Sequence, residues 1–318
     1  MFRKTVMSTS DPVVLFDVGV GQAQGSRKYQ EDRCTIVLPD QFPGETKDKI
    51  AFFAIYDGHG SALVSEHASK RLHYLLAKRP EFEKGDYAAA IKAALADEDA
   101  LLLESFKHDT AEPAISGSTA ALCLVNLTQG ELVVSNLGDS HVILAERDPK
   151  TNRPYHICRL TEAHKPELPS EKQRIEEAGG QVSTLSGTAR LVGSLNMSRA
   201  LGDLQYKNPV NEGQDQSSWP GAARRGSSSS APVGNFLSND PFTSRRTLQA
   251  DRRYLLVIVS DGVSDHTEDV ALIQHVMKLA MRGKRASEIA SEVATNNARF
   301  KKSDNASCVV VMLDGQRS

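Results

Sequence analysis

The chain has 318 residues, of which 40% are hydrophobic and 25% are charged, a composition typical of globular proteins with a buried core. Its formal net charge is −2, so no global basic field favours binding to nucleic acid or to an anionic membrane. The longest apolar runs are strand-sized, well short of the roughly 20 residues that a membrane-spanning helix needs. We therefore expect no membrane span and no nucleic-acid partner.

The first elements in chain order are three strands followed by two long helices. Apolar and β-branched runs predict strands at 13–20, 35–38 and 51–56. Apolar residues at helical spacing predict a helix over 61–79, and an Ala- and Leu-rich run predicts a second helix over 87–108. Residues 1–12 are expected to be an N-terminal tail, and residues 13–318 a single domain.

The next elements are strands at 119–127, 131–136 and 141–146, which the short turns between them predict as a β-meander. A further strand is expected at 155–160, and an apolar run at 254–260 has the same character. Residues 170–178 predict a short helix with a capping box from Ser170 and Gln173. Helices over 268–281 and 286–299 and a last strand over 306–313 complete the prediction.

Blocks of strands alternate with pairs of helices along the chain. This order favours an α+β fold: a β-sandwich of two mainly antiparallel sheets, flanked by α-helices. Residues 208–235 interrupt the pattern, because they are rich in Gly, Pro, Ser and Gln and have no periodicity. We expect them to form a flexible surface insertion.

The cysteines and the N-terminus bear on the compartment. Four cysteines are scattered without Cys-x-x-Cys or zinc-like spacing, which is typical of a reducing, intracellular environment. The basic start, with no acidic residue before Asp11, leaves a short transit peptide conceivable. We expect an intracellular, monomeric protein in the cytoplasm, with mitochondria or nucleus as alternatives.

Aspartates stand at the tips of three apolar runs: Asp57 after 51–56, Asp139 after 132–137 and Asp261 after 254–260. A carboxylate at the end of a buried strand is costly unless its charge is neutralised. Oxygen ligands suit Mg2+ and Mn2+, so a shared divalent cation would neutralise several of them. The pattern predicts a metal centre at one edge of the sandwich.

Two segments near these tips carry further candidates. Residues 27–32, Arg-Lys-Tyr-Gln-Glu-Asp, favour a solvated turn when taken alone; alternatively, Arg27 binds a phosphate and Glu31 and Asp32 hold metal-bound waters. After Asp57, the Gly58 carbonyl is a potential ligand and His59 a potential proton donor to a leaving alkoxide. Asp-Gly is also a common hairpin turn, and Asp304 is equally compatible with a surface turn.

The segments together resemble one known family, the metal-dependent type-2C protein serine/threonine phosphatases. The matching pieces occur in the family's order across nearly the whole chain: Arg27 with Glu31 and Asp32, residues 57–60 (DGHG), 116–120 (SGSTA), 136–140 (NLGDS), 164–166 (HKP), 177–180 (EAGG), 194–203 (SLNMSRALGD), 260–262 (SDG) and 304–305 (DN). Each piece alone is weak, whereas the ordered set is specific.

The resemblance implies a role for each matching residue. Asp57 would bridge two Mg2+ or Mn2+ ions, with Asp261 and Asp304 on one and the Gly58 carbonyl on the other. Glu31 and Asp32 would act through water, Arg27 would bind phosphate and His59 would be the general acid. The last members match a weaker third-metal site: Asp139, Asp261 and Asp265.

Three positions depart from the family pattern: His141 replaces an arginine, Ala163 an aspartate and Ser264 an aromatic residue. These three replacements change side chains that would support the site, whereas every expected metal-binding carboxylate is present. The resemblance implies hydrolysis of phosphoserine and phosphothreonine in protein substrates by a metal-activated water. The alternative is a catalytically impaired relative that serves as an adaptor.

Overall fold

The computed structural model describes residues 11–151, 155–213 and 234–315. The predicted tail 1–12, apart from its last two residues, lies outside the described residues. So do residues 214–233, the greater part of the predicted insertion at 208–235. The fold below concerns the described ranges.

Strands and helices alternate in blocks. In chain order the elements are β1 (Val13–Ala23), β2 (Arg33–Val37), β3 (Ile50–Tyr56), β4 (Gly58–His59), α1 (Leu63–Ala77), α2 (Pro80–Glu83), α3 (Tyr87–His108), α4 (Glu112–Ile115), β5 (Gly117–Ser118), β6 (Ala120–Asn126), β7 (Glu131–Leu137), β8 (His141–Arg147), β9 (His156–Arg159), α5 (Pro169–Glu177), β10 (Val182–Leu185), β11 (Thr188–Leu191), β12 (Leu201–Gly202), 3-10 turns at Leu204–Tyr206 and Asn211–Gly213, β13 (Phe242–Thr247), β14 (Arg253–Val259), α6 (Asp261–Ser264), α7 (Asp269–Met281), α8 (Ala286–Ala298) and β15 (Ala306–Gly315).

Two five-stranded sheets form the centre of the fold. One has the order β1-β15-β14-β8-β9 and the other β13-β7-β6-β3-β2, and neighbouring strands are antiparallel in both. Phe53 and Ile55 of one sheet share a buried core with Leu256, Ile258 and Val309 of the other. Burying each such side chain contributes about 1.5–3 kcal/mol, so the sheets pack as a sandwich.

Helices cover the outer faces of both sheets. Helices α1 and α3 pack on the sheet that contains β3, and α7 and α8 pack on the sheet that contains β15. This cover explains why every residue of β3 is buried rather than every second one. The predicted α+β sandwich of antiparallel sheets flanked by helices is confirmed.

The predicted β-meander is wrong in its third strand. β6 pairs with β7, but β8 leaves that sheet and pairs with β14 and β9 in the other. The change of sheet occurs at Gly138-Asp139-Ser140, where Gly138 has a φ of 87°, a left-handed conformation that favours glycine. Both sheets are buried on two faces here, so the apolar pattern of β8 fits either partner.

Other local predictions need smaller corrections. Helix α5 begins at Pro169 after Leu168, without a side-chain cap, so the predicted capping box from Ser170 and Gln173 does not form. Proline is favoured in the first helical turn because its missing N–H has no partner there. The β10–β11 hairpin and β13 were not predicted from the sequence, because their residues are largely exposed and show little apolar alternation.

Candidate metal centre and active site

The acidic tips meet because of the antiparallel pairing. Tyr56, the last residue of β3, is opposite Arg33 of β2, so Asp57 and Asp32 lie at the same end of that sheet. Val259, the last residue of β14, is opposite Cys308 of β15, which brings Asp261 and the segment at Asp304 to one end of the other sheet. Four aspartates distant in sequence therefore face one edge of the sandwich.

Three of these carboxyl groups interact electrostatically. The Asp57 carboxyl interacts with those of Asp261 and Asp32. Burial and then the charge of Asp261 raise the pKa of Asp57 well above its ordinary value. Burial and nearby carboxylates raise the pKa of Asp261 to about 8, and burial raises that of Asp32 to about 6. Without a cation, carboxyls this close retain protons.

The cluster can be tested for its fit to a cation. Within the described ranges, no three His, Cys, Asp or Glu side chains are arranged so that they could hold an ion as they stand. In the same ranges, however, Asp32 Oδ1 and Asp139 Oδ1 are buried without a hydrogen-bond partner. Positive charge comes instead from Arg27, paired with Asp304, and Lys165, paired with Asp139. The oxygen-rich set fits a hard divalent cation that would take over the charge of these side chains.

Backbone contacts fix the loop that carries Glu31 and Asp32. The Glu31 N–H donates to Asn305 Oδ1 at 2.7 Å, and Asn305 Nδ2 donates to the carbonyls of Gln24 and Tyr29 at 2.8 and 2.9 Å. A Cβ on Gly58 would lie 2.6 Å from the Glu31 carbonyl, so only glycine fits beside this loop. Asn305, matched within the family pattern but given no role, is thus a positioning residue.

His59 contacts a carboxylate that the sequence reading did not single out. His59 Nε2 lies 2.5 Å from Asp203 Oδ2, and Asp203 is 1% exposed. Burial lowers the pKa of His59, but the charge and hydrogen bond of Asp203 outweigh it, so the pKa is raised. The other ring nitrogen, Nδ1, has no partner in the described part of the chain. Asp203 therefore orients the ring through Nε2 and favours its protonated form.

Asp203 is held in place by a buried network of hydrogen bonds to its backbone. Asp203 adopts a left-handed conformation with a φ of 48°, and its N–H donates to the Ser116 carbonyl at 2.7 Å. The preceding Gly202 N–H donates to Asp99 Oδ1 at 2.8 Å, and Lys207 Nζ contacts Asp99 Oδ2 at 2.5 Å. The only sequence signal for Asp203 was its place at the end of the 194–203 match.

The remaining candidates lie on the flank of the cluster. Asp139 is buried, pairs with Lys165 and adds to the raised pKa of Asp57 and Asp261. Asp265 is exposed, and its N–H donates to the Asp261 carbonyl at 2.8 Å. Partial burial of the Asp265 carboxyl raises its pKa, and the charge of Asp139 raises it further. Asp139 thus acts on both Asp57 and Asp261, whereas Asp265 lies one helical turn from Asp261.

The replacement of an arginine by His141 is compensated from β9. Burial and Arg159 lower the pKa of His141 to about 4, so its ring is neutral. Arg159 Nη1 lies 3.0 Å from His141 Nε2, while the same guanidinium binds Asp269 through two contacts of 2.8 and 2.6 Å. A cation is therefore retained beside this segment.

Comparisons with known proteins agree with the geometry. The sequence pattern of the family described as Protein phosphatase 2C matches residues 16–306. Protein phosphatase 2C homolog 2 of Hypocrea jecorina is 30% identical over 264 residues, 82% of this chain and 52% of that protein. Protein phosphatase 2C homolog 2 of Saccharomyces cerevisiae is 29% identical over 314 residues, 96% of this chain and 60% of that protein. The chain thus spans only part of their length.

A solved structure supports the fold. The serine-threonine phosphatase 2C from Toxoplasma gondii has a TM-score of 0.73 at 20% identity, covering 96% of this chain and 100% of that one. The fold and the acidic edge place the chain in the class of helix-flanked β-sandwiches with carboxylate-lined rims. The match over residues 16–306 narrows this class further: the chain belongs to the protein phosphatase 2C family.

The acidic cluster predicts how stability depends on pH without metal. The folded-state pKa of Asp261, about 8, lies above its ordinary value of 3.8, so the folded state binds more protons between these limits. The free energy of unfolding should therefore fall as pH rises through that window. Thermal unfolding in EDTA should show a lower Tm at about pH 8 than at about pH 5.5.

Saturating Mn2+ should raise the Tm most at the higher pH, because binding replaces the retained protons. A chelated protein whose Tm is the same at both pH values would show that these carboxyls do not retain protons in the folded state.

Proposed function

We propose that this chain is a protein phosphatase that hydrolyses phosphoserine and phosphothreonine with Mg2+ or Mn2+. The convergence of Asp32, Asp57 and Asp261 at one edge of the sandwich carries the proposal, because buried carboxyls that raise each other's pKa need a cation to ionise together. Family membership supports the reaction class. The substrates are phosphorylated proteins.

The family resemblance supplies the residues that would hold the metals. Asp57, Asp261, Asp304 and the Gly58 carbonyl would hold them directly, while Glu31 and Asp32 would act through water. Asp139 and Asp265, which adjoin Asp261, would serve a third ion. Bound there, the cations would supply Lewis-acid activation of water and neutralisation of phosphate charge.

The chain's own residues would bind the substrate and move its proton. Arg27, whose side chain is 57% exposed, is free to move from Asp304 to a phosphate and bind it through two N–H groups. His59 would donate a ring proton to the departing serine or threonine oxygen, while Asp203 orients the ring and stabilises the imidazolium.

A direct assay tests the proposal. Purified protein should release phosphate from a phosphothreonine peptide with Mn2+ or Mg2+, and EDTA should abolish the release. The adaptor alternative is less well supported, because Asp57, Asp261 and Asp304 are all retained. Binding of the peptide without turnover, at every metal concentration, would favour the adaptor and overturn the proposal.

The His59–Asp203 pair predicts a dependence on the leaving group. His59→Gln should lower kcat for a phosphothreonine peptide by about 100-fold. It should lower kcat for 4-nitrophenyl phosphate far less, since that leaving group departs without a proton. Asp203→Asn should also lower kcat for the peptide more than for 4-nitrophenyl phosphate, but by a smaller factor, because it perturbs the orientation of the His59 ring.

Comparing the losses of kcat on the two substrates distinguishes a loss of proton donation from a general disruption of the active site. Equal losses on the two substrates would exclude His59 as the proton donor. Far-ultraviolet circular dichroism of both variants serves as the control for folding.

We also propose an intracellular, cytoplasmic and monomeric protein. All four cysteines, Cys34, Cys123, Cys158 and Cys308, are free thiols, which supports a reducing compartment. In the described ranges, no helix combines the length and the apolar character needed to cross a membrane. Cell fractionation and the mass measured by light scattering would test the location and the oligomeric state.

A further inference from the structure

A patch of basic and aromatic side chains borders the acidic edge, and the proposed mechanism does not use it. We define the basic rim as six residues on two neighbouring segments: Lys28, Tyr29, Arg299, Phe300, Lys301 and Lys302. All six are exposed, with Tyr29 at 61% and Phe300 at 49%. Exposed aromatic and cationic groups side by side are typical of recognition surfaces.

Hydrogen bonds join the two segments of the basic rim next to the site. The Ser26 N–H donates to the Ser303 carbonyl at 3.1 Å, and Arg27 pairs with Asp304. Ser303 Oγ also donates to the Ala298 carbonyl at 2.8 Å, which fixes the turn against the end of α8. The rim is therefore continuous with the phosphate-binding and metal-binding candidates rather than a separate surface.

The cations of the rim have no internal counter-charge. Within the described ranges, Lys28, Arg299, Lys301 and Lys302 form no ion pair, although Arg299 contacts the Asn296 side chain at 3.4 Å. Lys28 instead lies 4.9 Å from the Tyr29 ring centroid. Of the nearby acidic groups, Asp304 is already paired with Arg27. The rim thus presents unbalanced positive charge.

The aromatic members have fixed positions. Phe300 stacks on His266 with ring centroids 4.4 Å apart, and the Tyr29 carbonyl accepts a hydrogen bond from Asn305 at 2.9 Å. The Phe300 ring is therefore held in place, while the Tyr29 ring is exposed on a backbone that Asn305 holds. They would pack against the aliphatic parts of a bound peptide.

We propose that the basic rim docks phosphoprotein segments with aspartate or glutamate within about three positions of the phosphorylated residue. An extended chain spans roughly 3.3–3.6 Å per residue, so those positions lie about 3–11 Å along the chain from the phosphorylated residue. With phosphate bound beside Arg27 and Asp57, flanking carboxylates reach the rim. This substrate class rests on the proposed phosphatase function.

The test compares two phosphothreonine peptides that differ only in their flanking residues, glutamate in one and alanine in the other. The wild type should hydrolyse the acidic peptide with the higher kcat/KM. Lys301→Glu/Lys302→Glu should lower the ratio of acidic to neutral kcat/KM by roughly five- to thirtyfold, since attraction becomes repulsion. Hydrolysis of 4-nitrophenyl phosphate should not change, because it has no flanking residues.

A matched control has the same change in net charge far from the site. Lys47 and Lys150 are exposed and lie at the ends of β3 and β8 opposite Asp57 and Asp139, about 20 Å away. Lys47→Glu/Lys150→Glu should leave the peptide ratio unchanged. An equal shift in both double variants, or an unchanged ratio in Lys301→Glu/Lys302→Glu, would overturn the docking proposal.

Peptide binding separates docking from turnover. Fluorescence anisotropy of the labelled acidic peptide in EDTA should show weaker binding to Lys301→Glu/Lys302→Glu than to the wild type. If the wild type hydrolyses neither peptide nor 4-nitrophenyl phosphate, the proposed function fails, and the anisotropy result still decides the docking proposal.

Discussion

Asp57→Asn is expected to lower kcat/KM for a phosphothreonine peptide by at least about 1,000-fold, because the ligand proposed for two cations loses its charge. The substitution keeps the size of the side chain. It also removes one member of a cluster whose carboxyls raise each other's pKa. The metal-free variant should therefore be as stable as the wild type or more so, and EDTA-treated samples should show this in their Tm.

The response to metal distinguishes this explanation from unfolding. Mn2+ should raise the Tm of the wild type and leave that of Asp57→Asn nearly unchanged. Asp17→Asn provides a control at an aspartate within β1, away from the acidic edge, where Asp17 accepts a hydrogen bond from the Ala286 N–H at the start of α8. This variant should retain the Mn2+ response. A full Mn2+ response in Asp57→Asn would contradict the proposed metal centre.

Asp99→Ala is expected to destabilise the fold by about 3–5 kcal/mol, because it leaves Lys207 buried without its counter-charge. Both side chains are 8% exposed and lie 2.5 Å apart. Asp99 also accepts hydrogen bonds from the Gly202 N–H and from Asn239 Nδ2, at 2.8 and 2.9 Å. Urea denaturation with an unchanged m-value would measure the loss.

A double variant isolates the cost of the unpaired charge. Asp99→Leu/Lys207→Met removes both charges, so its loss of stability should be smaller than that of Asp99→Ala. If Asp99→Ala lowers the free energy of unfolding by less than about 1 kcal/mol, the Asp99–Lys207 ion pair contributes little to stability. Asp99→Ala should also reduce turnover, because Gly202 precedes Asp203, the partner of His59.

The acidic residues were predictable because each follows or precedes an apolar strand. Asp57 and Asp261 end strands that are buried along their length, and Asp304 comes just before β15. Antiparallel pairing then brings such tips to one edge in any sandwich of this order. The helices α1, α3, α7 and α8 were predictable for the same reason, since apolar spacing depends on nearby residues alone.

The pairing of β8 and the contacts of the site were not predictable in this way. The apolar run 141–145 fits either sheet, and only contacts with β14, more than a hundred residues later, decide its place. His59 and Asp203 are separated by 144 positions. Apart from the 194–203 family match, no local pattern around Asp203 predicts that it contacts His59.

The sequence by itself determined the family, the number of carboxylates and the alternation of strands and helices. Each follows from residue identity, order and short-range spacing. The tertiary structure decided which sheet receives β8, that Asp203 orients His59, and that the segment after α8 pairs with the segment that carries Arg27. These depend on contacts between distant segments, which form only when the two sheets pack and the cost of ordering the chain is offset by burial.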